Sequence, residues 1–145
     1  MRRSLGPHLA ATHIPDRYIL LDRSVLARPG DFERILVHEI FHFVWVRLGN
    51  VKRAGWETLL ARECAGKALG ELGWSSEWRK KRLRGADVLA RTPAWRRYTC
   101  ESFCDTAGWL YAKLARHEEF TLAHPSRLKR KAWFREYIES GPVSI

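Results

Sequence analysis

The chain has 145 residues, 46% hydrophobic and 29% charged, which suits one domain with its own core and argues against a disordered segment. Its 26 Lys and Arg against 16 Asp and Glu give a formal net charge of +10, which favours acidic partners or serves solubility. Three cysteines, Cys64, Cys100 and Cys104, make no disulfide framework, and no run approaches the roughly 18 apolar residues of a membrane-spanning helix.

In chain order, the opening stretch reads as loop or short strand, broken at Pro7 and Pro15. Met1-Arg2-Arg3 leads into no apolar run, so a signal peptide is not expected and a reducing cytoplasm is the default setting. Arg17–Asp22 is short, apolar and aromatic, as a strand should be. Pro29-Gly30-Asp31 supplies a turn, and a helix is predicted from Phe32 to Leu48, stopped by Gly49-Asn50. A second helix fits Glu57–Leu72, a third and strongly basic one Ser76–Leu89, with Ser75 or Ser76 as cap. Thr92-Pro93 opens a fourth that reaches Arg116, and a last one spans Ser126–Glu139 before Gly141-Pro142. The fold class is therefore α+β, mainly helical, with a small N-terminal sheet, in a single domain over residues 1–145.

The first helix holds His38-Glu39-Ile40-Phe41-His42, an HExxH motif. Residues four apart lie about 40° apart around a helix, so both imidazoles can reach one metal ion. Glu39 stands beside that position without binding, as a general base for a metal-activated water would. From Ile35 to Val46 no other side chain is ionisable, so this helix is buried rather than solvated. A buried glutamate without a partner would be costly.

Catalytic zinc has three protein ligands and a water. The third is expected at Glu101, in Cys100-Glu101-Ser102-Phe103-Cys104-Asp105. Glu101 and Asp105 are four apart on a predicted helix, so Asp105 can accept a hydrogen bond from a ligand imidazole while Glu101 binds the ion. Cys104, whose thiolate would suit zinc, is the alternative ligand.

With His38, Glu39, His42, Glu101 and Asp105 in that order, the chain resembles the gluzincin metallopeptidases, in which HExxH is followed on a second helix by a glutamate ligand and an aspartate four residues on. The metzincin pattern is absent, since Trp45 and Leu48 occupy its glycine and third-histidine positions. The resemblance covers two helices. It implies a compact zincin-like fold, Zn²⁺ as cofactor, a peptide or protein substrate, His38 as the partner of Asp105, and an edge strand for extended substrate, for which Arg17–Asp22 is the candidate. Gluzincins often add a Tyr or His that stabilises the oxyanion. Tyr98 is the candidate, with a core role as its competitor; His117 and His124 are weaker ones.

The implied activity is zinc-dependent peptide-bond hydrolysis with Glu39 as base. A second reading is a nucleic-acid-binding or regulatory protein on the same scaffold. It draws on the basic stretches Arg79–Arg84 and Arg127–Lys131, with Trp78, Trp133 and Phe134 for stacking on bases. A third is a domain that a metal merely stabilises; Glu39 argues against it, because a structural site needs no base.

Overall fold

The computed structural model describes residues 10–145. The order is β1 (Ala10–His13), β2 (Tyr18–Leu21), a 3-10 turn (Arg23–Ala27), α1 (Asp31–Arg47), α2 (Asn50–Ala65), α3 (Trp74–Lys80), α4 (Gly85–Ala90), α5 (Pro93–Tyr111) and α6 (His124–Tyr137). The chain is mainly helical, with one two-stranded antiparallel sheet.

In that hairpin Thr12 pairs with Ile19 and His13 with Tyr18. Strand alternation turns Ala10, Thr12, Ile19 and Leu21 inward and leaves Ala11, His13, Tyr18 and Leu20 exposed. The stretch expected as a strand forms β2, yet β1 makes the closer contact with α1. The hairpin folds the earlier strand in against the motif helix, with β2, the candidate edge strand, paired to it.

Glycines set the helix ends. Gly30, at φ 87°, precedes α1, and its N–H donates to Glu33 at 3.1 Å. Gly49, at φ 86°, ends α1 and starts α2 at once. Helix α2 therefore begins at Asn50 rather than Glu57 and stops at Ala65 rather than Leu72. Beyond it the chain turns at Lys67 and Gly70, both at positive φ, and Glu71 O accepts from the Thr121 and Leu122 N–H groups at 2.8 and 2.9 Å. The expected basic helix Ser76–Leu89 is two helices, α3 and α4, and the α5 helix ends at Tyr111, short of Arg116.

The core lies between α1, α2, α5 and α6. Gly108 marks the α1–α5 crossing: a Cβ there would sit 3.1 Å from Arg34 O, so a small residue lets the backbones approach. Trp56, Trp95, Phe103 and Phe134 are buried, with Phe103 stacked on Phe134 at 5.1 Å and Trp133 edge-on to Trp56 at 5.0 Å. Trp133 and Phe134 thus belong to the core and are not free to stack on bases. Arg130, from the second basic stretch, is wholly buried and binds both Glu63 (2.7 Å) and Glu71 (2.8 Å). No helix among the described residues is long and apolar enough to cross a membrane.

Candidate metal centre

Helices α1 and α5 bring His38, Glu39, His42, Glu101 and Asp105 into one cluster. His38 Nδ1 lies 2.7 Å from Asp105 Oδ1. Asp105 can only accept if ionised, so Nδ1 carries a proton and His38 Nε2 is the nitrogen left to bind an ion or carry a second proton. Nε2 points toward His42 Nε2 at 3.3 Å and Glu101 Oε2 at 3.2 Å, and Glu101 Oε1 is 3.7 Å from His42 Nε2. Three groups that attract cations thus converge on one point. Cys104 lies close by: its sulfur and one ring nitrogen each of His38 and His42 lie within 4.8 Å of one another, a grouping that could hold a metal ion.

The charges respond to this crowding. Burial disfavours a charged His38, but Asp105 and Glu101 outweigh it and raise its pKa well above the ordinary histidine value. Burial acts likewise on His42, which is raised by its contact with Cys100 and the charge of Glu101. Burial would push Glu101 up, yet the His38 hydrogen bond and the charges of His38, His42 and Arg79 drive it far below the usual carboxylate range. Burial and the Cys100 contact push the Cys104 thiol well up, while the Cys104 hydrogen bond and His42 bring Cys100 down to about 6.

Several residues that hold the cluster were not singled out for it in sequence. Thr12 on β1 donates to Glu39 Oε2, and its hydroxyl is 2.9 Å from Glu39 O. The other carboxylate oxygen, Oε1, is 4.0 Å from His38 Nε2. Ser75 and Ser76, expected as helix caps, bind carboxylates instead: Ser75 Oγ donates to Glu101 Oε2 at 2.8 Å and Ser76 Oγ to Asp105 Oδ2 at 2.6 Å. Gly73 allows this approach, since a Cβ there would lie 2.3 Å from Asp105 Cγ.

Other sequence candidates lie elsewhere. Tyr98 is wholly buried and donates to Glu71, within the Arg130 network, so its hydroxyl is not available to an oxyanion. His117 donates from Nε2 to Asp31 at 2.7 Å and accepts from the Glu119 N–H, a structural contact at the start of α1. His124 is exposed in the first turn of α6. Comparison with protein-family models, curated proteins and solved structures finds no match for this chain.

Proposed function

We propose that the chain is a zinc-dependent peptidase of gluzincin type, with His38, His42 and Glu101 as ligands and Glu39 as general base. The supporting observation is the spacing of the ligand atoms. An ion bound tetrahedrally at about 2.0–2.1 Å keeps its ligands about 3.3–3.4 Å apart. Here His38 Nε2 and His42 Nε2 are 3.3 Å apart, and Glu101 places Oε2 at 3.2 Å from the first and Oε1 at 3.7 Å from the second. Glu101 Oε2 faces His38 Nε2 at 3.2 Å, a contact that either a second imidazole proton or a bound cation satisfies. Imidazole with carboxylate suits zinc better than it suits magnesium or calcium.

Glu101 is preferred to Cys104 as third ligand because its carboxylate oxygens lie 3.2 and 3.7 Å from the two Nε2 atoms, whereas the grouping with Cys104 spans up to 4.8 Å. Zinc, when bound, supplies a Lewis acid and lowers the pKa of its water to about 7. The protein's part is to place and move protons. Asp105 fixes the His38 tautomer and thereby aims Nε2. Thr12 holds one oxygen of Glu39, leaving Oε1 to take the water's proton and hand it to the leaving nitrogen.

The nucleic-acid alternative has less to rest on. Arg130 is buried, Lys80 donates to Gly70 O, and the Trp78 ring is covered by Arg82 at 3.7 Å.

The test is metal analysis of protein purified without an affinity metal, joined to a peptide-library digest. Glu39→Gln is expected to keep zinc and lose about 10²- to 10⁴-fold in turnover. Zinc-free wild type that cannot be loaded, or undiminished hydrolysis by Glu39→Gln, would sink the proposal.

A further inference from the structure

We infer that the first turn of α3 sets the third ligand of this site: Ser75 fixes the Glu101 carboxylate, and Arg79 acts on Glu101 through Ser75. The inference rests on the metal-site reading above. Arg79 Nη1 donates to Ser75 O at 3.0 Å and to Ser75 Oγ at 2.8 Å. Ser75 Oγ in turn lies 2.8 Å from Glu101 Oε2. A guanidinium can only donate, so the serine oxygen accepts from Arg79 and its one proton goes to the carboxylate. The direction of the relay is therefore fixed: Arg79 to Ser75 to Glu101.

A hydroxyl that accepts from a cation is a stronger donor, and both of these hydrogen bonds involve a charged group. The oxygen it grips is the one 3.2 Å from His38 Nε2, so the grip decides how the carboxylate rotates. With Oε2 pinned, Oε1 is left toward His42 Nε2 at 3.7 Å. The neighbouring Ser76 does the same for Asp105, accompanied by its own N–H at 3.2 Å. Two consecutive serines thus hold the two carboxylates of α5 that touch His38. Arg79, which composition assigns to a basic surface stretch, becomes a positioning residue of the metal site. Its guanidinium is anchored within its own helix, one turn from Ser75, rather than reaching into solvent.

The experiment measures zinc affinity by competition with a chelator of known strength, in wild type, Ser75→Ala, Ser75→Thr, Arg79→Met and the Ser75→Ala/Arg79→Met double variant. Both positions lie on a helix, where Ala and Met are good helix formers, and thermal melts check folding. Ser75→Ala is expected to weaken zinc binding about 10- to 100-fold, the usual effect of losing a group that orients a ligand. Ser75→Thr, which keeps the hydroxyl, is expected to stay within a few-fold of wild type. Arg79→Met should weaken binding in the wild-type background and have no further effect once Ser75 is gone. Losses that add in the double variant would overturn the relay. Wild-type affinity in Ser75→Ala together with lost affinity in Cys104→Ala would overturn it too, by making Cys104 the third ligand. A wild type that binds no zinc would instead remove the metal site itself, and the relay with it.

Discussion

Helix α5 takes part in two clusters of ionisable groups, and they balance their charges differently. Around Arg130, the Glu63 and Glu71 carboxylates meet one guanidinium directly, and the Lys80 ammonium stands 3.9 Å from Glu71. Tyr98 and Ser102 fill the remaining acceptor positions of Glu71. Around His38, three carboxylates, Glu39, Glu101 and Asp105, face two imidazoles, and no Lys or Arg forms an ion pair with them among the described residues. The first cluster is neutral and closed, with Arg130 and Glu71 at its centre wholly buried. The second carries excess negative charge, and it sits at the edge of the core, with side chains 10–19% exposed apart from Asp105. A buried network that satisfies itself contributes to folding. One with excess negative charge at the edge of the core has the charge balance that the proposed metal site requires.

The largest effect should come from breaking the closed cluster. Arg130→Met leaves two buried carboxylates without their cation, which typically costs about 3–5 kcal/mol of stability. Urea or thermal unfolding at neutral pH measures it. The pH dependence sharpens the assignment. Burial would raise Glu71, but Arg130 outweighs burial and holds its folded pKa below the ordinary value. Its contribution is therefore complete above the unfolded carboxylate pKa of about 4.3 and is lost as pH falls through the lower folded value. In Arg130→Met that depression is gone, so the gap between wild type and variant should narrow on acidification. A gap that is constant from neutral pH down to about 3 would mean that Arg130 acts by packing alone.

The open cluster should instead respond to metal. A ligand that binds only the folded state stabilises it by about 2.7 kcal/mol at a hundred times its dissociation constant. Zinc should therefore raise the melting temperature of wild type, and His42→Ala should abolish the rise. Arg130→Met should melt lower yet keep the rise, since its guanidinium touches none of His38, His42 and Glu101. A zinc response that survives in His42→Ala would place the ion elsewhere.

How much of this was legible in sequence follows from the range of each interaction. The i, i+4 spacings of His38 with His42 and of Glu101 with Asp105 are local, and they put each pair on one face of α1 or α5 before any tertiary contact is known. Helix ends were read less well, because only Leu48 and Gly49 separate α1 from α2 and Lys67 takes a positive φ that no local pattern announces. Tertiary contacts overrode local rules at the serines: each could cap α3, but each hydroxyl went to a different carboxylate of α5, Glu101 or Asp105. Arg130 counted as surface charge because its partners, Glu63 and Glu71, are 67 and 59 residues away in sequence. Tyr98 is one turn from Glu101 but turns to Glu71, in a segment expected to be helical.

Thr12 offers the smallest and finest test of the open cluster. It comes from a region read as loop or short strand, 27 residues before Glu39, and it supplies the partner that a buried glutamate requires. Thr12→Val keeps the shape and removes the donor. Losing one hydrogen bond to a charged group costs about 1.5 kcal/mol at the lower end, equivalent to about tenfold in rate. If Thr12 steadies the base, that loss should fall on kcat, with KM and zinc content unchanged, because neither the ligands nor the rest of the cleft is altered. Thr12→Ser restores the hydroxyl without the methyl group and should recover most of the turnover. Should Thr12→Val and Thr12→Ser lose turnover equally, the methyl contact of the hairpin with α1 would be what matters. Full activity in Thr12→Val would show that Glu39 needs no partner from β1.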